Sequence, residues 1–511
     1  MNVVFRLDAS EKIGMGHLSR CNNLASSLVD KGAKIHFITR YLDKKFKKFL
    51  ENKKYRLSYL PKNKVFEKSN NLNSENLWPN KLQKIDAMQT KKLISNKKTD
   101  WLIVDHYGLN LQWEKILNQK VKKIMVIGDH LNRPHVCNLF LNQNFVKEKD
   151  FKLKRTLPKK CKVLLGPRYS LLDKSYLSLR KKMKIKDKKI KKVLISFGGS
   201  DMSKLLYKVV ETFNCRELKN VNLMIVTNNK FHIYKKIKKK VFKSPKTLSK
   251  LIYKSDFCIG AGGSTTWERM CLGLPALIFP IAKNQKKNSE NLYKEKLIYL
   301  VKNYKKIGKK ALRKKINSII KDKKNLYQKK INGLTIVDGL GSSRLSEILF
   351  PSRSRDLKIR RAKSQDLITY FNWVNEKEVI KSSFKNKPIS IKEHTKWFKN
   401  QIKNKKSIMF VLESNKLPVG QIRFDIFNKQ AFIDYSLDKI VRERKWGKKI
   451  IDLGIKNLKL SKINVINAKV KKNNLKSMSI FNNLGFEEKN LNSKYIYSLS
   501  RKNFFKTYEK I

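Results

Sequence analysis

A chain of 511 residues with 41% hydrophobic side chains can bury two or three cores, which excludes a disordered tail or one small domain. Lysine and arginine number 118 against 40 acidic residues, a formal charge of +78, but the lysines are spread through every segment. Lysine far outnumbers arginine, and no recognition helix, zinc module or aromatic-basic platform occurs, so no nucleic-acid partner is expected; the basic surface suits small acidic ligands such as nucleotide sugars and coenzyme A.

The cysteines at 21, 137, 161, 215, 258 and 271 form no CxxC pair and cluster with no histidine. They predict buried reduced thiols in a cytoplasmic protein and no metal. Arg6 and Asp8 interrupt the first apolar run, and no stretch of about 18 apolar residues exists, so neither a signal peptide nor a membrane span is expected.

In chain order, "VVFRL" (3–7), "KIHFIT" (34–39), "WLIVD" (101–105), "KIMVIGD" (123–129) and "NLFLNQ" (138–143) read as buried parallel strands. A helix over 17–31, ended by Gly32, links the first two into a βαβ unit. A second series comes after a lysine-rich stretch at 181–192: "KKVLISFGGSD" (191–201), "VNLMIVT" (221–227), "SDFCIG" (255–260) and "LPALIFP" (274–280). These predict two tandem doubly wound α/β domains, 1–150 and 151–348, the join falling near 150–190. Residues 283–350 are mostly helical, and "LFPSRSRD" (349–356) has the content of a linker. Residues 357–511 then read as an α+β domain, with an antiparallel meander over 407–438 turning at "SNKLP" and "FNKQ".

Three strings carry chemistry. In "FRLDASEKIGMGHLSRC", a strand runs into a helix through Gly14 and Gly16, and His17 falls at the helix start. Backbone N–H groups there approach a ligand closely, and the positive helix end favours the neutral imidazole, which can act as a general base for water. The plainer alternative is a histidine filling the turn. In "GAGGSTTWERMCLGLPALIFP" (260–280), a strand, a glycine run and a hydroxyl pair precede a helix, a phosphate cradle by mechanism. Glu268, one turn in, projects towards the same mouth. In "IVRERKWGKKIIDLGIKNL" (440–458), Arg442, Lys445 and Gly447 form a turn whose amides can meet a pyrophosphate.

Together with "LIVDHYGL", "IGDH", "LLGPRYSLLD" and "ISFGGSD", the first two strings resemble the UDP-sugar hydrolases of pseudaminic acid biosynthesis, over about residues 1–345. That resemblance implies two Rossmann-like domains in a GT-B arrangement with UDP between them. It implies His17 as the base that activates water at the anomeric carbon. Gly263, Ser264 and Thr265 would hold the diphosphate, Glu268 the ribose, and Asp8, Gly16 and Asn284 would line the sugar site. Asp105, His106 and Tyr107 would face the same cleft, with Gln285 a weaker contact. His36, His135 and His232 have no such context and are expected in core or on surface. A glycosyltransferase that uses a UDP-sugar donor keeps the same fold and stays open as the alternative.

The third string, with "NNLKSMSIFNNLGFE" (473–487), resembles the GNAT family of N-acetyltransferases over about 357–500. The resemblance implies acetyl-CoA as co-substrate, held by Arg442, Lys445, Gly447 and Asn474. Helix capping is the alternative for Asn474. Lys445 stands where the family loop carries glycine, so it costs backbone freedom if a positive φ is needed. Phe481 stands where many members carry a tyrosine acid; Tyr435 or a water chain would have to replace it. "NEKEVIKSSFKNKPISIKEHTKWF" (375–398) resembles the substrate-side segment of members that acetylate UDP-linked amino sugars. Within it, His394 and Trp397 share a short helix, with Trp397 expected in the core. The two resemblances imply consecutive steps on one UDP-sugar.

Overall fold

The computed structural model describes residues 1–10, 13–62, 65–66, 76–94, 99–130, 132–146, 156–183, 189–198, 202–228, 237–243, 245, 247–458, 463–491 and 494–500. His232, Gly199–Asp201 of "ISFGGSD" and the end of the third domain at 501–511 lie outside them. The chain divides into two compact units, Met1–Phe350 and Pro351–Ile511.

The first unit holds two parallel sheets. Apolar runs long enough for a strand but flanked by turns have nowhere to go but a sheet buried on both faces. Strands β1 (Asn2–Leu7), β2 (Lys34–Thr39), β3 (Arg56–Tyr59), β4 (Trp101–Asp105), β5 (Ile124–Ile127), β6 (Leu139–Asn142) and β7 (Lys162–Leu165) form a sheet in the order 3-2-1-4-5-6-7. Strands β8 (Lys192–Ser196), β9 (Asn222–Val226), β10 (Lys239–Phe242), β11 (Phe257–Ala261), β12 (Ala276–Phe279) and β13 (Tyr299–Leu300) form the second, in the order 10-9-8-11-12-13.

The boundary at 150/151 is therefore set too early. β7 pairs parallel with β6, Leu139 opposite Lys162, and belongs to the first sheet. "KVLL" at 162–165 follows a lysine pair, opens on Lys162, stops at Gly166-Pro167 and is only partly buried, so it lacks the long apolar run that marks its neighbours. The other end of the unit also crosses the boundary. Helix Gly341–Leu349 packs on helix Gly16–Val29 of the first lobe. Glu347 accepts from Lys31 Nζ at 2.6 Å, and the Leu349 carbonyl accepts from Trp101 Nε1 at 3.1 Å.

Buried charge also braces the first lobe. Asp86 on helix Asn80–Leu93 accepts from Arg6 Nη2 at 2.7 Å, Arg40 Nη2 at 2.8 Å and Trp113 Nε1 at 2.8 Å. Burial alone would raise its pKa; the two guanidinium groups outweigh that and hold it below the ordinary carboxylate value. All six cysteines are free thiols, with Cys161 and Cys215 half-buried. Cys137 and Cys161 nonetheless meet, Sγ to Sγ 3.6 Å, because they precede the adjacent strands β6 and β7. Among the described residues, no helix is long and apolar enough to cross a membrane.

The second unit is a mixed sheet of β14 (Leu357–Arg361), β15 (Ser407–Ser414), β16 (Leu417–Phe427), β17 (Gln430–Leu437), β18 (Val465–Lys471), β19 (Glu487–Leu491) and β20 (Lys494–Ser500), in the order 14-15-16-17-18-20-19. The hairpin turns fall at Asn415-Lys416 and Asn428-Lys429, each pair with positive φ, as tight two-residue loops demand. Among the described residues β17 and β18 are its one parallel pair, and that pair is short. The ladder runs from Gln430 opposite Val465 to Ile433 opposite Ala468 and stops, although both strands continue.

His394, on helix Ile391–Lys403, is 2% exposed among Phe371, Trp397 and Phe398. Burial lowers its pKa from the ordinary 6.5 to about 4. Between these values the unfolded chain binds the extra proton, so the stability present above pH 6.5 is lost as pH falls to about 4. The second unit's melting temperature is expected to drop by about 2–6 °C over that range from this group, and His394→Phe should remove that part of the drop. Thermal unfolding at a series of pH values checks it.

Candidate active sites

β1 and β4 pair directly, with Leu7 opposite Asp105, so the segment leaving β1 is delivered to the end of β4. The connection turns at Gly14, whose φ of +93° is the left-handed region that only glycine enters freely, and helix Gly16–Val29 begins. His17, in its first turn, is 8% exposed. Its Nδ1 lies 2.5 Å from Asp105 Oδ1. Arg20, one turn further along, donates Nε to Asp105 Oδ2 at 2.6 Å and Nη2 to Oδ1 at 2.5 Å. It also stands 3.6 Å from Asp129, just beyond β5. Tyr107 donates its hydroxyl to Asp129 Oδ2 at 2.7 Å and sets its ring edge-on to His17, centroids 4.7 Å apart. Five polar side chains thus close a ring at the C-terminal strand ends.

Burial alone would raise the Asp105 pKa; Arg20 and then His17 outweigh it and hold the carboxylate well below its usual range. An ionised carboxylate only accepts, so in the neutral ring Nδ1 carries the hydrogen and Nε2 the lone pair. Such an Nε2 can take a proton from water.

In the second lobe, β11 ends at Ala261 and Gly262-Gly263-Ser264 leads into the short helix Thr265–Cys271. Ser264 is exposed, with Gly263 and Thr265 half-buried. Glu268 accepts a 2.7 Å hydrogen bond from Tyr176. Burial raises the Glu268 pKa, with Tyr176 and Arg269 acting the other way. Asn284 is exposed in the first turn of helix Lys283–Lys294, after β12. This helix touches the first lobe: Asn288 Oδ1 accepts from the Phe145 amide at 2.9 Å, just past β6. The C-terminal strand ends of the two sheets therefore meet there, where doubly wound folds bind ligands.

In the second unit, the gap between β17 and β18 opens beside helix Trp446–Lys456. The turn before it places Glu443 at φ +71° and Lys445 at φ +60°. At Gly447 a Cβ would stand 2.5 Å from Ile480 Cδ1 on the Leu475–Asn482 helix, so a larger residue there would require the tip of Ile480 to move. Two strand edges that part beside a helix start suit an extended arm that carries amides and ends in phosphate.

Residues 193–339 match the model of the Glycosyltransferase family 28 C-terminal domain. Residues 356–487 match that of the Acetyltransferase (GNAT) domain. The chain pairs these two domains. An uncharacterized protein of Methanocaldococcus jannaschii is 24% identical over 98% of this chain and 100% of its own length. The UDP-2,4-diacetamido-2,4,6-trideoxy-beta-L-altropyranose hydrolase of Campylobacter jejuni is 25% identical over 58% of this chain and 97% of its own. A spermidine N-acetyltransferase structure from Vibrio cholerae aligns with 30% of this chain and 99% of its own, at 17% identity and a TM-score of 0.28. Acetyl-CoA is the co-substrate that the GNAT domain implies.

Several residues expected at these sites are occupied otherwise. Asp8 is 1% exposed, and its oxygens accept from Arg6, Thr39, the Arg40 amide and His106. The other nitrogen of His106 accepts from the Gly108 amide, so both of its ring nitrogens are spent within the fold. Gly16 has open space where a side chain would stand and a negative φ, so nothing in the backbone requires glycine there. In the family 28 domain, Gln285 is spent bracing two loops, its Oε1 accepting from the Gly262 and Ile281 amides. In the GNAT domain, Arg442 pairs with Glu376 and, at 2.7 Å, with Glu378. Asn474 Oδ1 caps the Leu475–Asn482 helix through the Ser477 amide, which is the capping alternative. Trp397 packs, half-buried, against the core cluster that holds Tyr370, Trp373 and Phe398, with the Arg423 guanidinium over its ring. Arg20 and Tyr176 contact the candidate residues Asp105 and Glu268, and the motifs do not mark them. Arg20 could have been found from His17, since i and i+3 share a helix face; Tyr176, distant in sequence from Glu268, could not.

Lys445 holds a conformation that costs a non-glycine residue roughly 1 kcal/mol. Lys445→Gly is therefore expected to stabilise the GNAT domain by up to about 1 kcal/mol, while loss of the charge weakens CoA binding a few-fold. Thermal unfolding and calorimetric titration with CoA measure the two effects.

Proposed function

We propose that the chain carries out two consecutive steps on a UDP-linked amino sugar. The GNAT domain transfers acetyl from acetyl-CoA to the 4-amine of the sugar. The first unit then hydrolyses UDP-2,4-diacetamido-2,4,6-trideoxy-β-L-altropyranose to the free sugar and UDP, as in pseudaminic acid biosynthesis. The observation that supports hydrolysis is His17 held by Asp105, with Arg20 compensating the carboxylate, at the strand ends of the first lobe. The likeness to the Campylobacter enzyme, over nearly that enzyme's whole length, supports the substrate.

In this reading His17 Nε2 takes a proton from water as its oxygen bonds to the anomeric carbon. The bond from that carbon to the UDP oxygen breaks, and UDP departs with the electron pair. Gly263, Ser264 and Thr265 bind the diphosphate, Glu268 the ribose hydroxyls, and Asn284 the sugar side. Lys445, with the turn up to Gly447, meets the CoA pyrophosphate. One chain holding both steps raises the local concentration of the intermediate.

The family 28 match favours a second reading, a glycosyltransferase that passes the sugar to an acceptor. Incubating the full chain with the diacetamido UDP-sugar and no acceptor separates the two. Free sugar and UDP in the mass spectrum, at many turnovers, support hydrolysis; UDP-sugar left intact until an acceptor is supplied supports transfer. The UDP-4-amino sugar plus acetyl-CoA, assayed in parallel, should gain one acetyl group.

A further inference from the structure

Acetyl transfer by the GNAT domain, the reading on which this inference rests, leaves one proton without a source. When an amine displaces a thiol from a thioester, a C–N bond forms and the C–S bond breaks. The nitrogen loses a proton to solvent, and the departing thiolate needs one. Phe481 offers none. It is 2% exposed and packed between Tyr435, Phe486 and Tyr497.

Tyr435 lies in the part of β17 beyond Ile433, where the ladder to β18 has stopped. Its side chain crosses to the Leu475–Asn482 helix, with its Oη 3.1 Å from Ser477 Oγ. Its ring is edge-on to Phe481, centroids 6.0 Å apart, and its Cε2 is 4.0 Å from where a Cβ on Gly447 would stand. The phenol thus occupies the point where the parted strands, the first turn of Trp446–Lys456 and the Leu475–Asn482 helix converge. The other hydroxyl packed on Phe481 is unsuitable, since Tyr497 gives its own to Glu488 at 2.5 Å. Asn474 is committed to capping.

We propose that Tyr435 is the acid that protonates the departing thiolate, with Ser477 orienting its hydroxyl and returning a proton to it from solvent. Burial raises the Tyr435 pKa, so the hydroxyl keeps its hydrogen at neutral pH.

The test uses the full chain, acetyl-CoA and the UDP-4-amino sugar, with CoA affinity measured separately by calorimetry. Tyr435→Phe should lower kcat at least 100-fold, with the KM for acetyl-CoA and the Kd for CoA unchanged within threefold. Ser477→Ala should lower kcat about tenfold on the same terms. A Tyr435→Phe enzyme with kcat within threefold of wild type overturns the assignment. So does a fall in CoA affinity that matches the fall in rate, which marks a packing role. If Tyr435→Phe does not fold, Ser477→Ala decides: full kcat overturns the proposal, and a tenfold loss at unchanged CoA affinity supports it. Wild-type protein that binds no CoA would instead sink the acetyl-transfer reading, a distinct result.

Discussion

His17→Ala is expected to slow UDP release by about 10²–10⁴-fold, the usual weight of a positioned general base. The loss should appear in kcat, with the KM for the UDP-sugar little changed, because the proposed diphosphate cradle lies in the other lobe. Acetyl transfer by the same protein should persist, since the GNAT domain is a separate compact unit. Asp105→Asn should fall between the variant and wild type. It frees the imidazole from a 2.5 Å carboxylate contact and leaves Arg20 without its main partner. UDP release at the wild-type rate from His17→Ala would remove the assigned base and reopen the transferase reading.

Asp86→Ala is expected to cost the first unit about 3–5 kcal/mol. Asp86, Arg6 and Arg40 are each no more than 1% exposed. Arg6 keeps Asp8, but Arg40 loses its carboxylate partner and retains the Pro61 carbonyl and Gln89. Trp113 loses its acceptor as well. A buried guanidinium without a counter-charge is far costlier than the pair is stabilising, which sets the size of the effect. Urea unfolding monitored by tryptophan fluorescence should show the first unit's transition shifted and the second unit's unmoved. A shift under about 1 kcal/mol would mean that water or rearrangement satisfies Arg40.

The strands were legible where the sequence had only one way to bury itself. β1, β4, β5 and β12 are mostly apolar runs, and each is an interior strand paired on both sides. The strands with no such signal, β7, β10 and β13, lie towards or at sheet edges, where lysine can flank or enter a strand and apolar content falls. The site was legible in proportion to its locality. His17 was marked by glycines within three residues, and Lys445 by a turn whose positive φ is realised. Partnerships formed across the fold were not. That Asp8 serves Arg6 and His106, or Arg442 serves Glu376 and Glu378, depends on which charges the topology brings within reach. A carboxylate at a strand end looks the same in sequence whether it faces ligand or arginine.

Because helix Gly341–Leu349 docks on the helix that presents His17, the last helix of the first unit helps keep that histidine in register. A chain stopped near Ile336 would retain all thirteen parallel strands yet forfeit the Lys31 and Trp101 anchors. Stop codons in that stretch would then imitate active-site lesions while leaving both sheets able to form. Chimaeras between relatives should accordingly be joined after Phe350, never at the seam between the sheets, so that each histidine helix travels with the helix that evolved against it.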